Sequence, residues 1–193
     1  MTDEPTVRPD LTGQKPSQNY NAMLFNVVHN FTNLESMLRY TYRVKIGISK
    51  EKFDIVFGLP ALGNMLSRLI KLFRFEPHPT RQDAIIGALV QLQDLSRLRN
   101  WMVHAGGHAL EDANEFLVML NPNERSVQTK SDFHVFPISA FLDVSRDLNM
   151  ITAIVAAIWD EDFPLDAQYA HMNFGEPKSL YEWSFKLPGI EKA

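Results

Sequence analysis

The chain has no cysteine. This excludes disulfide scaffolds, thiolate nucleophiles, iron–sulfur clusters and cysteine-based zinc sites. No apolar run approaches the ~20 residues a membrane span requires. The first residues, Met1-Thr2-Asp3-Glu4-Pro5, are acidic and lack the apolar stretch of a secretory signal, so a cytoplasmic protein is expected. Four signatures of common chemistry are also missing: the G-x-x-x-x-G-K-S/T phosphate loop, G-x-G-x-x-G, G-x-S-x-G and H-E-x-x-H. Nucleotide hydrolysis and serine-hydrolase chemistry therefore have no support.

The 193 residues are 45% hydrophobic and 22% charged, which suits one globular domain able to bury a core without staples. The net charge of −4 argues against a general nucleic-acid coat protein. The charge is unevenly placed, however. Residues 39–99 hold 11 Lys and Arg against 5 Asp and Glu, or +6; the rest holds 8 against 18, or −10. A basic middle in an acidic chain can form a local anion site, or it can be a set of ordinary solvated helix faces.

Residues 1–17 contain three prolines and no apolar cluster and read as a mobile leader. Over 18–44, Leu24, Val27, Val28, Phe31, Leu34, Leu38 and Tyr42 recur at spacings of three and four, predicting a long amphipathic helix that Gly47-Ile48-Ser49 ends. Residues 51–59 suit a short helical turn. Pro60 suits the first position of a second main helix with a stripe of Leu62, Met65, Leu66, Leu69, Ile70 and Phe73. Thr80-Arg81-Gln82-Asp83 resembles a capping box opening a third helix of about 25 residues that Gly106-Gly107 stops. Two short runs, 115–120 and 132–136, flank the turn residues Asn121-Pro122-Asn123 and predict a hairpin. A fourth helix follows over 139–159. The aromatic-rich tail, 161–193, is expected to pack on the body of 18–160. The expected fold is mainly all-α: an antiparallel bundle of about four main helices, with a small β-hairpin between the third and fourth.

One stretch carries chemistry: Arg99-Asn100-Trp101-Met102-Val103-His104, at the end of the third main helix. At about 100° per residue, Arg99 falls in the middle of the face formed by Ile85, Ala88, Leu89, Leu92, Leu95, Met102 and Val103. A guanidinium cannot lose its charge, so Arg99 must meet a partner, line a cleft or sit in an interface. Beside it, His104 at a helix C-terminus is placed where the dipole favours an imidazolium. Together they make a phosphate site. The same residues also fit duller roles: Arg99 in an ion pair, His104 as a dipole partner, Asn100 as a surface residue. Five residues of regular helix set Arg99 and His104 about 140° apart, so they converge only if the last turn unwinds or a second chain supplies one of them. Arg97 lies on the other side of the helix. His104 and His108 form a metal pair only on a continuous helix, which Gly106-Gly107 opposes, so no metal and no cofactor is expected.

Arg99-Asn100-x-x-x-His104, near the end of a long helix in a small all-α domain, resembles the Arg-x4–6-His motif of the HEPN superfamily, whose arginine is commonly followed by Asn, Asp or His. The helix–hairpin–helix sequel also resembles bacterial HEPN-like proteins. The resemblance implies a homodimer with a composite cleft and a metal-independent endoribonuclease acting on RNA, of the kind found in toxin–antitoxin and phage-defence systems, with an antitoxin protein as a further partner. It implies Arg99, Asn100 and His104 as catalytic residues. Other family members bind nucleotides or RNA without cleaving, or serve as dimerisation modules.

Overall fold

A computed structural model describes residues 16–58, 60–104, 108–109, 115–119, 133–159 and 183–187. The elements in chain order are α1 (Pro16–Lys45), α2 (Lys50–Phe57), α3 (Leu62–Phe75), α4 (Gln82–His104), β1 (His108–Ala109), β2 (Glu115–Met119), β3 (Phe133–Pro137) and α5 (Ala140–Ala156). The mainly helical class expected from the periodicities holds. The expected leader is shorter than 1–17, since Pro16 and Ser17 already belong to α1; its residues 1–15, the Gly106-Gly107 stop, the Asn121 turn and most of the tail lie outside the described residues.

Each helix buries the stripe its spacing sets out. Val27, Phe31, Leu34 and Leu38 of α1, Met65, Leu66, Leu69 and Phe73 of α3, and Ile85, Leu89, Leu92 and Leu95 of α4 share one core with Val144, Leu148, Ile151 and Ile154 of α5. The end of α1 is a Schellman cap. Ile48 N–H donates to the Arg43 carbonyl and Gly47 N–H to that of Val44, with Gly47 at φ 69°. A Cβ at Gly47 would touch nothing within 4 Å, so the cost of adding one is conformational alone. Gly47→Ala is expected to lower stability by about 1 kcal/mol, read as a small drop in the thermal midpoint. An unchanged midpoint would mean the cap is not what ends α1.

Two helix starts differ from the sequence expectation. Pro60 precedes α3 rather than opening it: Ala61 is the N-cap and its carbonyl accepts the first helical bond from Met65 N–H. The Thr80–Asp83 box is replaced by a different device. His78 Nδ1 accepts from the Thr80 and Arg81 amides, and His78 N–H donates to Gln82 Oε1, so the cap sits one residue later, at Arg81.

Helix directions are only partly those of a simple antiparallel bundle. α4 runs opposite to α5, with Gln91 on Asp147 and Arg81 on the Ala157 carbonyl. It also opposes α3, with Gln93 on Ser67 and Gln82 on the Phe73 carbonyl. α1 instead lies parallel to α5, with Tyr20 on Phe141 at one end and Tyr40 on Trp159 at the other. It also runs parallel to α3, whose Glu76 meets Lys45 at 3.3 Å. The return is made by α2, which ends at Gly58 (φ 56°) and folds Phe53 and Phe57 onto Tyr42. The intervening α2 is why two successive long helices need not be antiparallel.

The predicted hairpin is present as β2 and β3, antiparallel, with Phe116 opposite Phe136. A third strand, β1, pairs antiparallel with β2 to give the order β1-β2-β3. Two residues cannot display a period, so β1 was not legible in the sequence. Phe116 and Phe136 stack at 5.3 Å between centroids and close the end of the bundle over Tyr20 and Phe141. Burial pushes the Tyr20 phenol up to about 12.

Candidate active site

α4 is regular through His104, its last residue. The three motif residues therefore ride on one rigid helix. Leu95, Leu98 and Met102 are buried on its inner side, while Val103 is 43% exposed and Arg99 only half-buried. The apolar stripe thus turns away from Arg99 over the last turn. Arg99 stands at the edge of the body instead of inside it, which removes the need for a buried counter-ion.

Arg99 and Asn100 are brought together: Arg99 Nη1 donates to Asn100 Oδ1 at 2.9 Å. Adjacent helical residues do not normally face each other. The long arginine stem bends across to reach the amide, and the bond fixes one edge of the guanidinium. Arg99 Nε is buried without a hydrogen-bond partner. Glu35 pairs with Arg39, Lys45 with Glu76 and Asp94 with Arg97, and among the described residues no carboxylate closes on Arg99. Arg97, the other arginine of this turn, is exposed and holds Asp94 at 3.4 Å, as its place on the far side of the helix implies.

His104 is exposed at the C-terminal end of α4, and no described residue hydrogen-bonds to it. The last turn does not unwind, so one chain does not converge Arg99 and His104 by that route; regular geometry keeps them about 140° apart and about 7.5 Å along the axis. His108 lies in β1, off the helix, so His104 and His108 do not share a helical face. Among the described residues no cluster of three or more potential ligands is placed to hold a metal ion. What remains is a guanidinium oriented by an amide and an exposed imidazole, both on one helix end. That set can bind a phosphate and move a proton if a second copy completes it.

Compared with family models, curated proteins and solved structures, the chain matches none. The interpretation of this helix end accordingly stands on its own residues.

Sequence reasoning passed over the one buried carboxylate among the described residues. Asp147 of α5 is 2% exposed. Its carboxylate accepts from Gln91 Nε2 at 2.8 Å, Ser184 N–H at 2.9 Å and Phe185 N–H at 3.0 Å. Gln91 Nε2 also donates to the Phe185 carbonyl at 2.8 Å. Loss of hydration raises the Asp147 carboxyl above its usual range, against the downward pull of the three donors and with a small upward push from Asp143. The network ties Trp183–Leu187 to the groove between α4 and α5, where Phe185 and Leu187 are buried. The signal was available: position 147 lies three after Val144 and four before Ile151, on the apolar stripe.

Proposed function

We propose that the chain is a HEPN-like endoribonuclease that works as a homodimer and needs no metal. The observation that carries this reading is the end of α4, where Arg99 is oriented by Asn100, unsealed by any described carboxylate, and followed at the fitting interval by an exposed His104. The RNA 2′-hydroxyl attacks the adjacent phosphorus, forming the 2′-O–P bond as the bond to the 5′-oxygen breaks. A His104 imidazole takes the proton from the 2′-oxygen or returns one to the departing 5′-oxygen. Arg99 holds the phosphate and meets the charge that develops on its oxygens. Asn100 keeps the guanidinium in register. The products are a cyclic phosphate and a 5′-hydroxyl. No metal-activated water is required, because the nucleophile belongs to the substrate.

The angular separation of Arg99 and His104 motivates a two-fold dimer in which one chain's Arg99 serves the other's His104. Light scattering is expected to show a dimer at micromolar concentration. Mixing Arg99→Ala chains with His104→Ala chains is expected to restore about a quarter of wild-type cleavage, since half the dimers are mixed and each of those has one intact site. A monomer, or a mixture no more active than its parts, would contradict the shared site and favour a binding module.

A further inference from the structure

We propose that the opposite end of the molecule carries a nucleoside-phosphate site, formed where the ends of α1 and α5 meet α2. A cavity of about 630 Å³ opens there between Arg39, Arg43 and Lys50. The two arginines are one helical turn apart on α1, so they share a face. Lys50 begins α2 and closes the set from the other side. Among the described residues of the lining, Asp54 is the one carboxylate against three cations. Arg39 gives Nη2 to Glu35 at 2.7 Å, yet its Nε is buried with no hydrogen-bond partner.

A second cavity of about 330 Å³ adjoins the first and shares Ser36 and Tyr40 with it. Its wall is apolar, with Met37, Val155 and Trp159. Both volumes fall in the range of small-molecule sites. The Trp159 indole is 45% exposed and is steadied by donating Nε1 to Thr41 Oγ1 at 3.3 Å and by the Tyr40 ring against it. Arg43 lies over the other aromatic, 5.2 Å from the Tyr40 centroid. The cationic half suits a phosphate, which guanidinium groups bind through paired donors. The planar, half-exposed indole next to it suits a base, which stacks on aromatic faces. A nucleoside phosphate, either free or as part of a strand, carries both an anion and a flat base and so fits the two halves together. Tyr20 and Tyr40 mark the two ends of α1, about 30 Å apart at 1.5 Å per residue, and Arg99 belongs to the Tyr20 end. The groove is therefore separate from the α4 site.

Calorimetric titration of the full chain with AMP, adenosine, inorganic phosphate and octyl phosphate tests the assignment. AMP is expected to bind saturably, with the other three each at least about tenfold weaker, because each presents only part of what the groove reads. Arg43→Gln and Lys50→Gln, both near the surface, are each expected to weaken AMP about tenfold. Trp159→Leu, which keeps apolar bulk but loses the planar face, is expected to weaken it by about the same factor. Arg99→Ala is expected to leave AMP binding unchanged. The dinucleotide pApA separates the two sources: tighter binding than AMP assigns the groove to a strand, weaker binding to a free nucleotide. The proposal is overturned by any of four results: no saturable AMP binding, wild-type affinity in both cation variants, octyl phosphate matching AMP, or loss of AMP binding in Arg99→Ala.

Discussion

His104→Ala is expected to lower RNA cleavage by about 10²–10⁴-fold, the usual contribution of a positioned proton-transfer group. His104 is exposed and no described residue hydrogen-bonds to it, so its removal has little reason to disturb the fold. Arg99→Ala is expected to produce a loss of the same order, through phosphate stabilisation rather than proton transfer. The two are distinguishable. Arg99→Lys should recover little, because an ammonium does not reproduce the planar fork that Asn100 holds in place. Asn100→Ala should cost less than either, since it frees the guanidinium without removing it. His108, in β1 and off the helix, should matter little. All variants are to be compared by initial rates on one RNA substrate, with melting and dimerisation checked alongside. Wild-type rates in both His104→Ala and Arg99→Ala would remove the motif from the chemistry.

Asp147→Ala is expected to be strongly destabilising, by about 3 kcal/mol or about 10 °C in the thermal midpoint at this chain length. The alanine leaves Gln91 Nε2 without one of its two acceptors and strands the Ser184 and Phe185 amides beside the core. An exposed control, Arg97→Ala, removes only the 3.4 Å pair with Asp94 and is expected to cost under about 0.5 kcal/mol. The pH dependence has a defined sign. Burial raises the folded-state pKa of Asp147 above the ordinary value of 3.8, so the folded chain holds that proton more tightly than the unfolded one. The contribution of this group to stability is present in full at pH below that value and declines as pH rises through the raised folded pKa. Melts of wild type and Asp147→Ala across the acidic range should therefore differ most at low pH and converge somewhat as the carboxyl ionises. A difference that instead grows with pH would show that the three donors outweigh desolvation.

Periodic features of the fold were legible from residues alone. The apolar stripes of α1, α3, α4 and α5 lie at the spacing of one helix face, and the 115–119 and 133–137 strands flank turn residues, so local rules suffice. Helix starts were read less well. Pro60 satisfies the rule for a first helical position equally well one step outside it, and the His78 cap at α4 depends on a ring folding back over two amides, a geometry that residue type does not announce. The parallel course of α1 and α5 is a non-local result of the return through α2. The candidate site drew notice because the helical wheel sets a charged residue, Arg99, on the apolar face, although in the structure that stripe turns away and leaves Arg99 at its edge. The same argument applied to Gln91 and Asp147 would have found their network. The Arg39–Arg43–Lys50 groove appeared in the sequence only as a surplus of positive charge over 39–99, because its walls come from three separate helices.

The central claim is that the end of α4 cleaves RNA through the substrate's own 2′-hydroxyl. Its most direct test is cleavage of one end-labelled oligonucleotide in EDTA, as RNA and as its 2′-O-methyl form, by wild type and by the Arg99→Ala/His104→Ala double variant. Wild type is predicted to cut the RNA to a cyclic-phosphate end and to leave the methylated strand whole. The double variant is predicted to cut neither. Cleavage of RNA by the purified double variant, cleavage of the methylated strand, or a strict need for added divalent metal would contradict the account.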